Sequence, residues 1–349
     1  MFETLKPAAP DGILALMGLY RDDPRPGKID LGVGVYRDET GATPVMRAVR
    51  EAERRLHEEQ ATKTYLGLAG DTAFNALMIG LVMGEDADRT RLRAAQTPGG
   101  TGALRALADL VKLARPEATV WVPDPTWPNH LPILRAAGLR IAAFPYYDPA
   151  QGITFDAAIT ALKGAAAGDV VLLHACCHNP TGADLTLDQW GAIAGLAVER
   201  GLTPFVDIAY QGFGQGLDED AAGVRLLAAR VPEMLVAASC SKNFSVYRDR
   251  AGAAILLGRN EAEAEAAYSQ LLGVGRGVWS MPPDHAAACV RIVLEDAGLR
   301  ADWRQELESV RTRMISLRQG FAEALRRASN SDRFDFVADQ RGMFSRLGL

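Results

Sequence analysis

The chain has 349 residues, 48% of them hydrophobic, and its mean hydropathy is −0.02. At roughly 150 residues per domain, this length predicts two domains, or one large core with a smaller lobe. The chain has 38 Lys and Arg and 43 Asp and Glu, which gives a net charge of −5. This balance argues against a nucleic-acid-binding protein, because binding to nucleic acid needs clustered Lys and Arg that neutralise the phosphates. No apolar stretch approaches the roughly 20 residues of a membrane-spanning helix. The N-terminus also lacks the apolar region of a secretory signal peptide. We therefore expect a cytoplasmic protein that binds neither nucleic acid nor membranes.

Short runs rich in Val, Ile and Leu alternate with segments of helical spacing. Continuous apolar runs are typical of strands that are buried on both faces of a parallel sheet. The alternation predicts an α/β fold in which helices flank a mostly parallel central sheet. The predicted strands are 119–122, 169–173, 202–206, 234–238 and 251–257, with helices at 185–199 and 221–229.

The two ends of the chain follow a different pattern. Long helices are predicted over 284–296 and 301–328, with no strand-like run before Phe334-Asp335-Phe336, and residues 1–45 are rich in turns. We expect both ends to form a smaller α/β lobe. The predicted domains are 1–45 as the N-terminal arm and part of the small domain, 46–309 as the large domain, and 310–349 as the start of a C-terminal small domain.

Polar residues directly follow the predicted strands, where ligands bind in parallel sheets. Lys242 follows strand 234–238, and a lysine in a partly apolar setting has a lowered amine pKa and forms Schiff bases with carbonyl compounds. Ser239 and Arg250 flank it with a hydroxyl and a cationic fork that suit a phosphate. Taken alone, Lys242 would be interpreted as a solvated loop residue, as most lysines after a strand are; its neighbours change this interpretation.

The neighbouring strand ends add a carboxylate, a phenol and an amide. Asp207 ends strand 202–206 and Tyr210 follows it, although a lone Asp at this place is usually a cap or turn residue. Asn179 lies in a segment that also reads as an ordinary turn. The glycine-rich segment 97–102 precedes a helix and exposes backbone N–H groups to an anion, without the spacing of a nucleotide-binding loop. Together these groups point to an aldehyde-bearing pyridine phosphate, pyridoxal phosphate (PLP).

With these residues in place, the sequence resembles the class I, fold-type I PLP-dependent aminotransferases, in the branch that acts on aspartate and aromatic amino acids. The likeness runs along the whole chain, and the resemblance implies the PLP-transferase fold. The matching segments are 31–36, 65–67, 97–104, 125–130, 176–182, 207–213, 239–244, Arg276, 280–283 and 342–345.

The resemblance implies a role for each matching residue. Lys242 would carry the cofactor as a Schiff base and then move the substrate proton. Asp207 would pair with the pyridine nitrogen, with His130 orienting its carboxylate. The remaining cofactor contacts would be Tyr210 and Asn179 to the ring oxygen, Trp127 on the ring face, and Gly100, Thr101, Ser239 and Arg250 at the phosphate.

The resemblance also implies a homodimer with shared active sites and no metal. Tyr65 would reach the phosphate of the neighbouring subunit. Arg276 would reach across the dimer to the side-chain carboxylate of a substrate. Gly34 would lie where the small lobe closes over the substrate, which Trp127 and Asn179 would also contact.

Two departures from the family pattern bear on activity. The family arginine that binds the substrate α-carboxylate lies beyond the motif 342–345, and here the chain stops at Leu349, so the C-terminal domain looks truncated and Arg346 is not assigned this role. Around Arg276, Val278, Trp279 and Met281 provide a more apolar rim, which fits a pocket for both dicarboxylates and aromatic side chains, or ordinary packing variation.

We therefore expect an aminotransferase that works by a ping-pong mechanism. Aspartate, glutamate and aromatic amino acids would be the donors, and 2-oxo acids the acceptors. The alternatives are a PLP-dependent lyase or decarboxylase on the same fold, and a PLP-binding dimer that is impaired because the C-terminal segment is missing. Cys176, Cys177 and His178 are not expected to chelate a metal together, because adjacent side chains of a strand point to opposite faces.

Overall fold

The computed structural model describes residues 1–7, 12–30, 32 and 34–347. Leu31 and Val33 of the predicted motif 31–36, and the last residue Leu349, lie outside the described residues. The strands are β1 Leu92–Pro98, β2 Thr119–Asp124, β3 Arg140–Pro145, β4 Tyr147–Asp148, β5 Gly152–Ile153, β6 Val170–His174, β7 Thr203–Ile208, β8 Met234–Ser239 and β9 Ala251–Leu257. The helices are α1 Gly12–Asp22, α2 Arg47–Glu59, α3 Thr72–Met83, α4 Gly99–Ala114, α5 His130–Ala136, α6 Phe155–Leu162, α7 Leu187–Arg200, α8 Ala222–Ala228, α9 Glu261–Val278, α10 His285–Glu295 and α11 Ala297–Ser329.

A seven-stranded sheet with the order β1-β9-β8-β7-β6-β2-β3 lies at the centre of the structure. The pairs β2–β3, β2–β6, β6–β7 and β7–β8 are parallel, whereas β9 runs antiparallel to both β1 and β8. The predicted α/β fold with a mostly parallel sheet is confirmed. The antiparallel β9 has the continuous apolar pattern that is typical of a parallel strand, because every one of its residues is buried.

Alternating side chains of each central strand enter two separate apolar layers. In β6, Val170 and Leu172 pack on one face of the sheet with α4, whereas Val171 and Leu173 pack on the other with α7. Because helices cover both faces, both sets of side chains are apolar. The two layers hold the strands rigidly, so that the loops at the strand ends are presented on a fixed frame.

Helix α7 shows how local sequence sets an element boundary. Thr186 accepts a hydrogen bond from the Gln189 backbone, and the Gln189 side chain accepts one from the Thr186 backbone, which forms a capping box. At the other end, Gly201 has a φ of 67°, a left-handed conformation that glycine adopts without strain. The helix predicted over 185–199 is observed over Leu187–Arg200, and these two capping features explain its ends.

The chain divides into two compact units, Met1–Thr43 and Pro44–Leu349. In the first unit, Arg37 pairs with Asp30 at 2.5 Å, and Asp38 caps a turn through Thr40. In the second unit, α11 continues through residue 310, so the predicted boundary after residue 309 falls inside this helix. The division into 1–45, 46–309 and 310–349 stays a prediction.

The strand-like run at Phe334 is not a strand. A 3-10 helix covers Asp335–Asp339, and Phe334 and Val337 pack together against Ala322 of α11. Spacing of three residues puts both apolar side chains on one side of such a helix, which is why the short run is not extended. Within the described part of the chain, no helix combines the length and apolar character needed to cross a membrane.

Candidate active site

The carboxyl ends of β6, β7 and β8 lie side by side. His174 is the register partner of Asp207, and Asp207 is the register partner of Ala237 in β8. At the adjacent edge, Ser239 and Thr97 both pair with Gly252 at the start of β9. The loops that carry the predicted site residues therefore leave the sheet at one edge.

Asp207 and His130 form a buried pair. The two side chains are 8% and 1% exposed, and His130 Nε2 lies 3.1 Å from Asp207 Oδ2. Burial raises the pKa of Asp207, but the hydrogen bond and charge of His130, together with His174 and Lys242, outweigh it and leave the pKa below its ordinary value. Asp207 is thus held as a carboxylate.

The pair continues into a hydrogen-bonded chain that the sequence did not reveal. Thr126 Oγ1 lies 2.8 Å from His130 Nδ1 and 3.0 Å from His174 Nε2. Burial and the nearby His130 lower the pKa of His174 to about 3, so its ring is neutral. In the sequence, Thr126 is marked only by its position in the loop after β2. This position predicts a contact with His174 only once β2 and β6 are known to be neighbouring strands.

Lys242 lies in a turn directly after β8. Its Nζ is 4.7 Å from the centroid of the Tyr210 ring. Burial lowers the pKa of the Lys242 amine, Asp207 raises it and Arg250 lowers it, with a net decrease. A larger fraction of this amine is therefore unprotonated near neutral pH than for an exposed lysine, and the unprotonated form is the one that attacks a carbonyl carbon.

Tyr210 presents a neutral hydroxyl beside this lysine. Burial and the charge of Asp207 raise the pKa of Tyr210, against the opposing effect of a hydrogen bond with the Asn179 side chain. The phenol therefore stays protonated and can donate to a negatively charged oxygen. Phe344 packs edge-on against the Tyr210 ring, with centroids 5.9 Å apart.

The amino terminus of α4 forms an anion-binding cradle with β8 and the start of β9. A Cβ at Gly99 would lie 2.5 Å from Arg250 Nη2, and a Cβ at Gly100 would lie 2.9 Å from Ser239 Cβ. Glycine is needed here because the helix backbone approaches both side chains closely. Thr101 also belongs to the first turn of α4, which forms part of the cradle. The free N–H groups at this end of the 16-residue helix, and its dipole, therefore point toward the cradle. The donor set of N–H groups, hydroxyl and guanidinium fits the phosphate of PLP.

The structure brings together Lys242, Asp207, His130, Tyr210 and Asn179. Half-buried Trp127 joins them through its edge-on contact with the His130 ring, at a centroid distance of 5.2 Å.

The remaining predicted residues lie elsewhere in the fold. Tyr65 is 89% exposed and lines a surface cavity of about 710 Å³ beside α2 and α10. Arg276 is exposed near the end of α9, where it donates to Ser280 Oγ at 2.5 Å. Gly34 belongs to the unit of residues 1–43. The roles of these residues stay predictions.

The expectation that Cys176 and Cys177 point to opposite faces is wrong. Their sulfur atoms and a carboxylate oxygen of Asp220 lie within 4.8 Å of one another. Cys177 has a φ of 51°, which interrupts the alternation of an extended strand. Burial raises the pKa of Cys177 to about 11, and Asp220 already accepts backbone hydrogen bonds from Gly212 and Gly214. Protonated thiols and an occupied carboxylate are poor metal ligands.

Comparison with known proteins agrees with this geometry. Residues 26–349 match the family Aminotransferase class I and II. The chain is 52% identical to an aromatic-amino-acid aminotransferase of Paracoccus denitrificans and 46% identical to an aspartate aminotransferase of Escherichia coli, covering 100% of this chain and 89% of each relative.

A solved structure supports the same assignment. The aromatic-amino-acid aminotransferase of Burkholderia pseudomallei, described as covalently bound to pyridoxal phosphate, superposes with a TM-score of 0.97 at 43% identity, over 100% of this chain and 88% of that one. Similarity at this level along the whole of this chain shows that it has the same fold. The chain belongs to the class I and II aminotransferases, the PLP-dependent enzymes that move an amino group between an amino acid and a 2-oxo acid.

Proposed function

We propose that this transaminase takes amino groups from aspartate, glutamate and aromatic amino acids and passes them to oxaloacetate or 2-oxoglutarate in a ping-pong cycle. The observation that carries the proposal is the position of the Lys242 amine, 4.7 Å from the Tyr210 ring centroid and within the field of the buried Asp207 carboxylate. Bound PLP supplies an electron-withdrawing ring that stabilises negative charge at the substrate Cα.

Lys242 has two tasks in this proposal. Its Nζ would hold the cofactor before substrate arrives, and the released amine would then accept the proton at the substrate Cα and donate it again. A lowered amine pKa suits both tasks because the free amine is the reactive form. Asp207 keeps a proton on the ring nitrogen, since a buried carboxylate held in its charged form stabilises a cation beside it.

The other residues orient the cofactor. Tyr210 and Asn179 are proposed to donate to the ring oxygen, and Trp127 to cover one ring face. The phosphate is assigned to the cradle of Gly100, Thr101, Ser239 and Arg250. Holding the phosphate and the ring nitrogen at two fixed points would leave the ring little freedom, which would orient the substrate Cα toward Lys242.

Arg276 is proposed as the ligand for the side-chain carboxylate of a substrate. Its guanidinium forms no ion pair with a carboxylate among the residues that the structure describes, so its charge is available. Val278 is 51% exposed beside it, and such an apolar surface suits an aromatic side chain. The relatives named aromatic-amino-acid and aspartate aminotransferase support this pair of substrate classes.

A homodimer in the cytoplasm is part of the proposal. Tyr65 and Arg276 are both exposed, as side chains that serve a neighbouring subunit would be in an isolated chain. The oligomeric state is tested by light scattering. Mixing Tyr65→Phe with Lys242→Ala chains then tests sharing, because heterodimers would regain one site in which both residues are native.

The function is tested by the absorbance of the PLP-loaded protein before and after adding L-aspartate and then L-phenylalanine. We expect each donor to convert the lysine-bound cofactor to the pyridoxamine form, with one 2-oxo acid produced per cofactor converted. Lys242→Ala should abolish the initial lysine-bound absorbance, whereas the exposed Lys163→Ala should leave it unchanged. Release of CO₂ or ammonia without a 2-oxo acid would instead indicate a decarboxylase or lyase. A lysine-bound absorbance that ignores both donors would refute transamination of these substrates.

A further inference from the structure

Trp303 of α11 makes two specific contacts with the turn that carries Lys242. Its Nε1 donates to the backbone carbonyl of Asn243 at 2.7 Å. Its ring stacks on Phe244 with a centroid distance of 4.5 Å and an interplanar angle of 4°. Asn243 and Phe244 are the two residues that follow Lys242, so the indole contacts the turn immediately beyond the catalytic amine.

The turn depends on outside partners for its shape. Internally, Ser245 N donates to Lys242 O at 3.0 Å and Phe244 N donates to Cys240 O at 3.3 Å. Neither bond satisfies the carbonyl of Asn243, a residue that is only 2% exposed. Without the indole N–H this buried carbonyl would lose its hydrogen bond, and the turn would have to move to find another donor.

The same stretch of α11 is anchored independently. Arg47 of α2 pairs with Asp302 at 2.6 Å, and its backbone N–H donates to Glu306 at 2.8 Å. Leu307 packs so closely on Gly212 that a Cβ there would lie 2.5 Å from Leu307 Cδ2. Trp303 is thus 0% exposed on a helix that contacts both α2 and the segment around Gly212, and it can act as a rigid support.

We propose that Trp303 is a positioning residue for Lys242: through its bond to the Asn243 carbonyl and its stack on Phe244, it holds the amine against Tyr210 and Asp207. This inference rests on the proposed role of Lys242. Loss of the support would let the turn relax toward solvent. The amine would then regain hydration, and its protonation would return toward that of an exposed lysine.

The test treats the 349-residue chain, without cofactor, with a limiting amount of acetic anhydride at a series of pH values. Mass spectrometry gives the extent of labelling at Lys242 relative to the exposed Lys163. Trp303→Phe keeps an aromatic ring beside Phe244 but removes the N–H. We expect its midpoint pH of Lys242 labelling to rise by at least about 0.5 unit.

Trp190→Phe is the matched control. Trp190 is 2% exposed in α7 and contacts Gly223, away from the lysine turn. The Trp190→Phe variant should lower the midpoint temperature of thermal unfolding as Trp303→Phe does. Its midpoint pH of Lys242 labelling should stay at the wild-type value. Phe244→Leu removes the stack from the other partner and should raise the labelling midpoint, which keeps the proposal testable if Trp303→Phe does not fold.

An unchanged midpoint in a folded Trp303→Phe variant would overturn the proposal, as would an equal shift in the Trp190→Phe control. Borohydride reduction of the wild-type chain with PLP, followed by peptide mapping, tests the underlying assumption separately. Cofactor found on Lys242 together with an unchanged midpoint refutes only the role of Trp303, whereas cofactor found elsewhere refutes the role of Lys242.

Discussion

Asp207 illustrates how a single residue combines burial with charge. It lies within a strand between two apolar layers, yet His130 at 3.1 Å and the nearby Lys242 keep it ionised. The cost of burying a carboxylate is offset only while these partners are present. The role proposed for this residue is therefore to hold a positive charge in place rather than to stabilise the fold.

Asp207→Asn is expected to lower kcat at least about 100-fold, because the amide cannot keep a proton on the ring nitrogen. Steady-state kinetics at saturating PLP measures this loss. The control is Asp169→Asn, since Asp169 is also buried but accepts hydrogen bonds from Thr119 N and Trp121 Nε1 at the other end of β6. The control should lose thermal stability and keep its kcat. Similar kcat losses in both variants would contradict the assigned role.

Arg276→Leu is expected to separate the two substrate classes. Losing a charge-assisted, bidentate contact should lower kcat/KM for aspartate about 100-fold, or about 2.7 kcal/mol. Phenylalanine has no side-chain carboxylate, so its kcat/KM should change less than about 3-fold. Arg276→Lys keeps the charge without the planar guanidinium. Its kcat/KM for aspartate should lie between those of the wild type and Arg276→Leu. Equal losses for both amino acids would contradict the role of Arg276.

At the scale of elements, the anion-binding cradle depends on close backbone approach between β9 and the start of α4. A Cβ at Gly252 would lie 2.6 Å from the Gly99 carbonyl carbon and 2.9 Å from Gly100 N. Neither neighbour is a flexible side-chain end, so a methyl group can be accommodated only by moving the strand or the helix.

Gly252→Ala should therefore weaken PLP binding at least about 10-fold, which corresponds to about 1.4 kcal/mol. Equilibrium titration of the cofactor-free protein with PLP measures the change. Gly195→Ala in α7 is the control, because nothing lies within 4 Å of its added Cβ. That variant should keep the wild-type affinity and gain about 0.5–1 kcal/mol of stability from its higher helix propensity. Unchanged affinity in Gly252→Ala would mean that the cradle does not hold the phosphate.

The elements that the sequence predicts best are those whose structure is locally encoded. The predicted strands at 119–122, 169–173, 202–206, 234–238 and 251–257 correspond to β2, β6, β7, β8 and β9, because uninterrupted apolar runs are typical of strands buried on both faces. The sequence does not predict β1, because Arg93, Gln96 and Thr97 interrupt its apolar pattern. Gln96 and Thr97 are nevertheless 0% exposed, since tertiary partners such as the Asp71 backbone satisfy Gln96.

The site could be predicted only in part for a related reason. Lys242 and Asp207 follow or end apolar strands, where ligands bind in parallel sheets, and the family resemblance assigns their roles. The link between Thr126 and His174 depends on strand order, which places β2 beside β6. In the chain the two strands are separated by residues 125–169, which include α5, β3 and α6. No local pattern encodes that juxtaposition, so these contacts required the structure.

At the scale of the whole molecule, the rings of His130, His174 and His178 lie next to one another beside Asp207. The ring centroids of His130 and His174 are 5.0 Å apart, and those of His174 and His178 are 4.1 Å apart. Burial lowers the pKa of His178 well below its ordinary value, as it lowers the pKa of His174 to about 3. Protonation of either ring is therefore linked to unfolding.

The fold should consequently lose stability as the pH falls below about 6.5, the ordinary pKa of histidine. Since the folded-state pKa of His174 is about 3, the unfolded chain binds the extra proton first, and stability decreases with falling pH. For His174 alone the loss at pH 5 relative to pH 7 is about 2 kcal/mol. Urea unfolding at both pH values measures it, and His174→Gln should reduce the difference by about this amount, whereas the exposed His57→Gln should not. The buried Asp184, whose pKa burial raises to about 6, acts in the opposite direction but is common to all three proteins. An identical pH difference in His174→Gln and the wild-type chain would show that the His174 ring is not held neutral by the fold.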